Sequence, residues 1–202
     1  MRVSEQLILA SASSRRKELL SSYGVKFTIR PQDIDETPWP DEKPEDYVVR
    51  MAMEKARACA SDIGLKSLPV LGADTVICFG GRIIGKPQDQ DEAFEILRAF
   101  SGQSHEVLSA VAVANNDQIH HVLSVSKVQF RRLQDQEILA YCKTGEPLDK
   151  AGAYGIQGLA SMFISRIEGS YTGIVGLPVF ETLELLSRYG ITPLSILEQH
   201  TL

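Results

Sequence analysis

"HEVLSAVAVANNDQIHHVLSVSKVQF", residues 105–130, sets two long β-rich arms around the polar triplet Asn115-Asn116-Asp117. Turn-forming residues between two such arms predict a hairpin, and a hairpin makes its two strands antiparallel neighbours. A purely parallel doubly wound sheet is thereby excluded. Upstream, "LPVLGADTVICFGGRIIGKP", residues 68–87, reads as a buried strand, a turn at Gly80-Gly81 and a short return strand. Leu7–Ala10, Phe27–Arg30 and "SMFISRIEG", residues 161–169, supply further strands. Helical patterns alternate with them. Arg15–Tyr23 is closed by Gly24, and Glu45–Asp62 follows Pro44 and ends at Gly64. Glu92–Phe100 follows a capping signal at Asp89, Asp135–Lys143 stops near Gly145, and a last helix runs from Pro178 to Arg188 or Tyr189 before Gly190. The sum is an α/β fold with a mixed, partly antiparallel sheet flanked by helices. No repeat, low-complexity tract or linker divides the chain, so residues 1–202 read as a single domain.

Composition narrows the function. The chain carries a formal net charge of −5, which excludes a general electrostatic grip on a nucleic acid polymer. A local basic cluster in an acidic chain points instead to a small anionic ligand. Cys59, Cys78 and Cys142 are far apart with no CxxC, and His105, His120, His121 and His200 lack metal-ligand spacing. Reduced thiols, no signal peptide and no bilayer-length apolar run predict a cytoplasmic protein with no membrane partner.

The polar anomalies fall at element ends, where sites on α/β scaffolds gather. In "LASASSRRKELLSSYG", residues 9–24, an apolar strand runs into Ser11, Ser13, Ser14, Arg15 and Arg16 at a helix start. Hydroxyls, free backbone N–H groups and guanidinium forks there suit phosphate oxygens, and a serine N-cap followed by solvated arginines accounts for the same letters. Asp74 interrupts the apolar strand of "GADTV", residues 72–76, with the Thr75 hydroxyl on the opposite face. A carboxylate in that setting needs a cation or hydrogen-bond donors. "GGRIIGKP", residues 80–87, approaches a P-loop, but Pro87 stands where the magnesium-binding hydroxyl is required. A P-loop is therefore rejected, and Lys86 is kept as a phosphate contact. Asp33, Asp35 and Glu36 form an acidic loop of the kind that binds Mg²⁺ or Mn²⁺ beside phosphates, or that is merely solvated. "GEPLDKAGAYGIQG", residues 145–158, reads as a structured loop in which Gln157 offers both donor and acceptor to a base edge.

The ordered set resembles the Maf-like nucleoside triphosphate pyrophosphatases. It comprises Ser11-x-Ser13-x-Arg15-Arg16, Glu36, Glu54-Lys55-Ala56, Gly72-Ala73-Asp74-Thr75, Gly85-Lys86-Pro87, the 145–158 loop and "GSYTGIVGLP", residues 169–178, and it spans nearly the whole chain. Ser14 stands where relatives commonly carry proline. The resemblance implies two lobes around a central cleft (a Maf/ITPase-like fold), a homodimer, a divalent cation and hydrolysis of a nucleoside triphosphate to monophosphate and pyrophosphate. Ala-Asp-Thr with Tyr-Gly-Ile-Gln-Gly resembles the branch acting on dTTP and UTP. By that likeness Asp74 is the catalytic proton acceptor and Arg15, Thr75 and Gln157 set substrate choice. Ser11, Ser13, Arg16, Lys55 and Lys86 hold phosphates, while Glu36 and Asp74 hold metal. A 7-methyl-GTP pyrophosphatase and a nucleotide-binding regulator of cell division remain the alternatives.

Overall fold

The expected hairpin lies at the centre of the molecule. In a computed structural model, which describes residues 6–63, 68–115 and 118–199, strands β5 (Ser104–Asn115) and β6 (Gln118–Phe130) pair antiparallel along their whole length. The turn residues Asn116 and Asp117 lie outside the described residues, as does Gly64. β5 pairs on its other side with β3 (Val70–Phe79), from Val70↔Ala114 to Cys78↔Glu106. β1 (Leu7–Leu9) runs parallel to β2 (Phe27–Ile29) and to β3, while β7 (Ile164–Glu168) closes the far edge antiparallel to β6. The result is a seven-stranded mixed sheet in the order β2-β1-β3-β5-β6-β7, with β4 (Arg82–Ile84) added to β3.

Two helices, α1 (Ser14–Ser22) and α2 (Pro44–Ile63), occupy opposite faces of this sheet. α2 lays Val48, Met51, Ala52, Ala56 and Cys59 on Ile8, Val76, Leu108, Ala110 and Ala112. Gly72 permits the close approach: a Cβ there would lie 2.2 Å from the Ala52 carbonyl oxygen and 2.7 Å from the Ala56 nitrogen. The other face carries two separate apolar clusters. One joins Leu7, Leu71, Val111 and Val113 to Leu20 of α1 and to Leu185 and Leu186 of α6 (Val179–Ser187). The second joins Ile77, Val107, Val128 and Phe130 to α3 (Gln90–Phe100), α4 (Asp135–Cys142) and short 3-10 turns between Glu146 and Phe163. Between the clusters the same face presents Thr75 and Ser109, directly opposite each other in register. Two apolar masses thus flank one polar seam.

Three expectations are adjusted. α3 starts at Gln90, two residues before Glu92, because Asp89 already caps it by accepting the Glu92 N–H at 2.8 Å. Ser161–Phe163 belong to a 3-10 turn, so β7 starts only at Ile164. The helix from Pro178 is not the last: α7 (Pro193–Gln199) follows, and the five-residue α5 (Tyr171–Val175) precedes it. Short helices carry too few turns to show a periodicity in sequence. No described helix is long and apolar enough to cross a membrane.

Candidate functional site

β3 is longer than either neighbour on its β1 side. β1 covers it only at Val70 and Leu71, with the Ala10 N–H reaching the Leu71 carbonyl at 2.8 Å, and β4 covers it again from Ile77 to Phe79. Among the described residues, Gly72–Val76 therefore have no strand beside them on that edge. Here the chain also leaves β1 towards one face, through α1, and leaves β2 towards the other, through α2. Such a reversal opens a crevice at the carboxyl ends of parallel strands. Asp74 and Thr75 stand in the middle of the bare edge and, as adjacent strand residues, point to opposite faces.

On the Thr75 face lies a cavity of about 350 Å³. Ser13, Arg15, Arg16, Thr75 and Lys86 line it, with Asp149, Lys150 and Tyr154 opposite. Ser13 is the N-cap of α1, accepting the Arg16 N–H at 3.4 Å. The two arginines divide their work. Arg16 donates Nε to the Gly176 carbonyl at 2.9 Å, Nη1 to Ser11 Oγ at 3.2 Å and Nη2 to Thr75 Oγ1 at 3.5 Å. It ties α1, β3 and the end of α5 together. Burial pulls its pKa below the ordinary arginine value, an effect that the Asp74 charge opposes. Arg15 has no hydrogen bond or ion pair to protein among the described residues and faces the cavity, as does exposed Lys86. Among the described residues lining the cavity, these are the two cations without a hydrogen bond or ion pair to protein. Thr75 is less free. Ser109 gives its one proton to the Gly173 carbonyl at 2.6 Å, so the Thr75 proton is shared between Ser109 Oγ at 2.9 Å and the Gly176 carbonyl at 3.3 Å. Towards the cavity Thr75 presents an acceptor only.

On the α2 face, Lys55 Nζ is 2.8 Å from Asp74 Oδ1 and 2.7 Å from Glu36 Oε1. Lys55 and Asp74 are buried, while Glu36 reaches in from the exposed loop after β2. Two hard carboxylate oxygens converging on one cationic head fit a divalent cation completed by phosphate oxygens. Among the described residues no set of three or more His, Cys, Asp or Glu forms a metal cage. The acidic loop does not act as a cluster, because Asp35 turns back to accept the Thr37 N–H at 2.9 Å and only Glu36 joins the site.

The structure therefore brings Ser13, Arg15, Arg16, Thr75 and Lys86 to one cavity, and Glu36, Lys55 and Asp74 to the other side of the same bare edge. Buried Ser11 is not in the cavity wall; its hydroxyl accepts from Ser13 N and from Arg16. Gln157 lines an adjoining cavity of about 190 Å³ that shares Arg15, Asp149 and Lys150 with the first. Its exposed side-chain amide has no protein partner among the described residues. The 145–158 loop is latched by Glu146, which accepts from Tyr141 Oη and the Leu159 N–H, each at 3.0 Å, while Gly152 N–H reaches the Gly85 carbonyl at 2.9 Å. Sequence reasoning assigned no role to Asp149, Lys150 or Tyr154 in the wall, nor to α5. The glycines at 155 and 158 were the signal. A Cβ on Gly155 would lie 2.8 Å from Lys150 Cε, and one on Gly158 2.1 Å from Glu146 Oε1.

The fold and site define a class: an α/β protein with a cleft lined by Arg15, Arg16 and Lys86 at the switch point of a mixed sheet. The chain belongs to the Maf-like protein family, whose model matches residues 6–189. Among its relatives is a dTTP/UTP pyrophosphatase of Methylobacillus flagellatus, 50% identical over 92% of this chain and 94% of the relative. Another is the dTTP/UTP pyrophosphatase of Escherichia coli K12, 50% identical over 91% of this chain and 93% of that one. A solved structure of the Staphylococcus aureus Ham1 protein aligns with 62% of this chain and 71% of its own at 13% identity and a TM-score of 0.44.

Proposed function

We propose that this chain hydrolyses nucleoside triphosphates, dTTP and UTP foremost, to the monophosphate and pyrophosphate, acting as a homodimer in the cytoplasm. The observation that carries this reading is 50% identity to a dTTP/UTP pyrophosphatase over 92% of the chain. The site supports it. A nucleoside in the cavity would send its triphosphate across the bare edge of β3, meeting Arg15 and Lys86 on one face and Lys55 and Asp74 on the other. The cations neutralise charge that develops on phosphate oxygens. A water oxygen bonds to the α-phosphorus as the bond from that phosphorus to the bridging oxygen breaks, and pyrophosphate leaves. Asp74 takes the water proton on a carboxylate oxygen while Lys55 holds that carboxylate in place. Glu36 and Asp74 are the residues that would hold Mg²⁺ or Mn²⁺, which when bound supplies charge neutralisation and a more acidic water.

Selectivity follows from fixed polarity. With its proton held by Ser109 and the Gly176 carbonyl, Thr75 offers an acceptor that suits the N3–H of uracil or thymine and opposes the N3 lone pair of cytosine. Sites that read hydrogen bonds reject such analogues strongly. The test is a panel of UTP, dTTP, CTP, GTP and 7-methyl-GTP assayed separately for pyrophosphate and orthophosphate with Mg²⁺ or Mn²⁺. Pyrophosphate release led by UTP and dTTP is expected. Orthophosphate as product overturns the reaction, and equal rates on CTP and UTP overturn the selectivity.

A further inference from the structure

Glu36 belongs to a stretch, residues 30–43, with neither helix nor strand, and its side chain is more than half exposed. An exposed ion pair alone fixes a loop poorly, yet Glu36 must stand beside Lys55 and Asp74 to act with them. What holds it comes from α2. Tyr47 Oη donates to the Glu36 carbonyl at 2.8 Å, and Arg50 Nη2 donates to the Thr37 carbonyl at 3.1 Å, bracketing the residue. Arg50 also forks onto Glu42, Nε at 2.6 Å and Nη2 at 2.7 Å, and Glu42 in turn accepts the Trp39 N–H at 3.0 Å. The guanidinium lies 4.2 Å from the Trp39 ring centroid and 5.4 Å from that of Tyr47. Both partners of the fork are partly buried, with side chains 11% and 5% exposed. An ion pair so sheltered and bidentate has defined geometry, unlike a surface pair.

We infer that Arg50 is a positioning residue. Its planar fork, closed on Glu42 and stacked beneath Trp39, fixes the loop so that Glu36 meets Lys55 and Asp74. Arg50 is not among the residues that line the cavity; besides the loop and the Tyr47 ring it meets only Glu54, one turn along α2, at 3.5 Å among the described residues. Lysine cannot replace it. A single ammonium keeps the charge but cannot reach both Glu42 oxygens and the Thr37 carbonyl in one plane while covering an indole. This inference rests on the function proposed above.

The molecule supplies its own probe, because Trp39 is its single tryptophan. Arg50→Lys and Glu42→Gln are each measured for thermal midpoint, acrylamide quenching of Trp39, UTP and CTP kinetics at saturating Mg²⁺, and calorimetric binding of Mn²⁺ with an α,β-imido analogue of UTP. Quenching should rise and kcat should fall roughly ten- to a hundredfold, as expected of a group displaced by about an ångström. KM for UTP and the UTP-to-CTP ratio should hold, and Mn²⁺ affinity should drop. Trp39 is 60% exposed in the wild type, so the readout is the ring face that the guanidinium covers, and intact kcat in a variant whose quenching has risen overturns the inference. So does a loss of UTP-to-CTP discrimination in step with the thermal midpoint, which marks general loosening. A wild-type chain that releases no pyrophosphate overturns the proposed reaction instead. The Mn²⁺ titration then still decides, since unchanged affinity in Arg50→Lys refutes the positioning role.

Discussion

Replacing His105 with phenylalanine should flatten the acid limb of the protein's stability curve. The His105 imidazole is 2% exposed and stacks on Phe100 with ring centroids 4.2 Å apart. Nε2 meets Tyr154 Oη at 2.7 Å, while Nδ1 has no partner. Burial lowers its pKa from 6.5 to about 4. The folded protein thus keeps His105 neutral where the unfolded chain would already protonate it, so the unfolded state binds more protons and stability rises with pH. No penalty exists above about pH 7. As pH falls it grows to about 2 kcal/mol by pH 5 and about 3 kcal/mol by pH 4, levelling below that, at about 1.4 kcal/mol per tenfold change. Other groups titrate alike in both proteins and cancel. The assay is urea unfolding of wild type and His105→Phe at half-unit steps from pH 7.5 to 4, with His105→Gln as a second variant should phenylalanine pack badly. The difference in unfolding free energy should shift in favour of the variant by about 2 kcal/mol between pH 7.5 and 5. Parallel curves would refute the reasoning.

Asp74→Asn keeps shape and removes the proton acceptor, so kcat should fall by roughly 10²–10⁴-fold or more while nucleotide binding stays measurable by calorimetry; full activity would remove Asp74 from the chemistry. Arg15→Gln should raise KM for UTP by roughly ten- to a hundredfold with little change in thermal midpoint, since charged hydrogen bonds contribute about 1.5–3 kcal/mol. Arg16→Gln should instead destabilise the fold by about 1–3 kcal/mol, having removed one donor each from Ser11, Thr75 and the Gly176 carbonyl. Equal thermal losses in the two variants would contradict that division. Gly72→Ala sets a methyl 2.2 Å from the Ala52 carbonyl oxygen, so α2 must retreat and carry Lys55 off Asp74. A stability loss of about 1–3 kcal/mol and lost turnover should appear together in melting and activity assays.

Much of this was legible before folding. The 105–130 hairpin, the Gly80-Gly81 turn and the Pro44 and Asp89 helix starts are local signals, set by backbone preference and side-chain alternation within a few residues. The opposite orientation of Asp74 and Thr75 also follows from strand alternation. Less legible was α5, five residues long, whose carbonyl at Gly176 receives Arg16 and Thr75 across more than 100 positions of sequence. "SASSRR" pointed to Arg15 for substrate but left open whether Arg16 meets substrate or braces the loop, and the bonds to Gly176, Ser11 and Thr75 make it a brace.

The sequence by itself determined the strand pairs, the family motifs and the chemical types available at element ends, because each depends on residues close together in the chain. Only the tertiary structure decided that β1 and β4 stop short of each other along β3, leaving Gly72–Val76 bare. That gap arises from two pairings at opposite ends of one strand, made by segments far apart in sequence, and no local pattern encodes it. It is what lets groups on both faces of a single sheet edge reach one ligand.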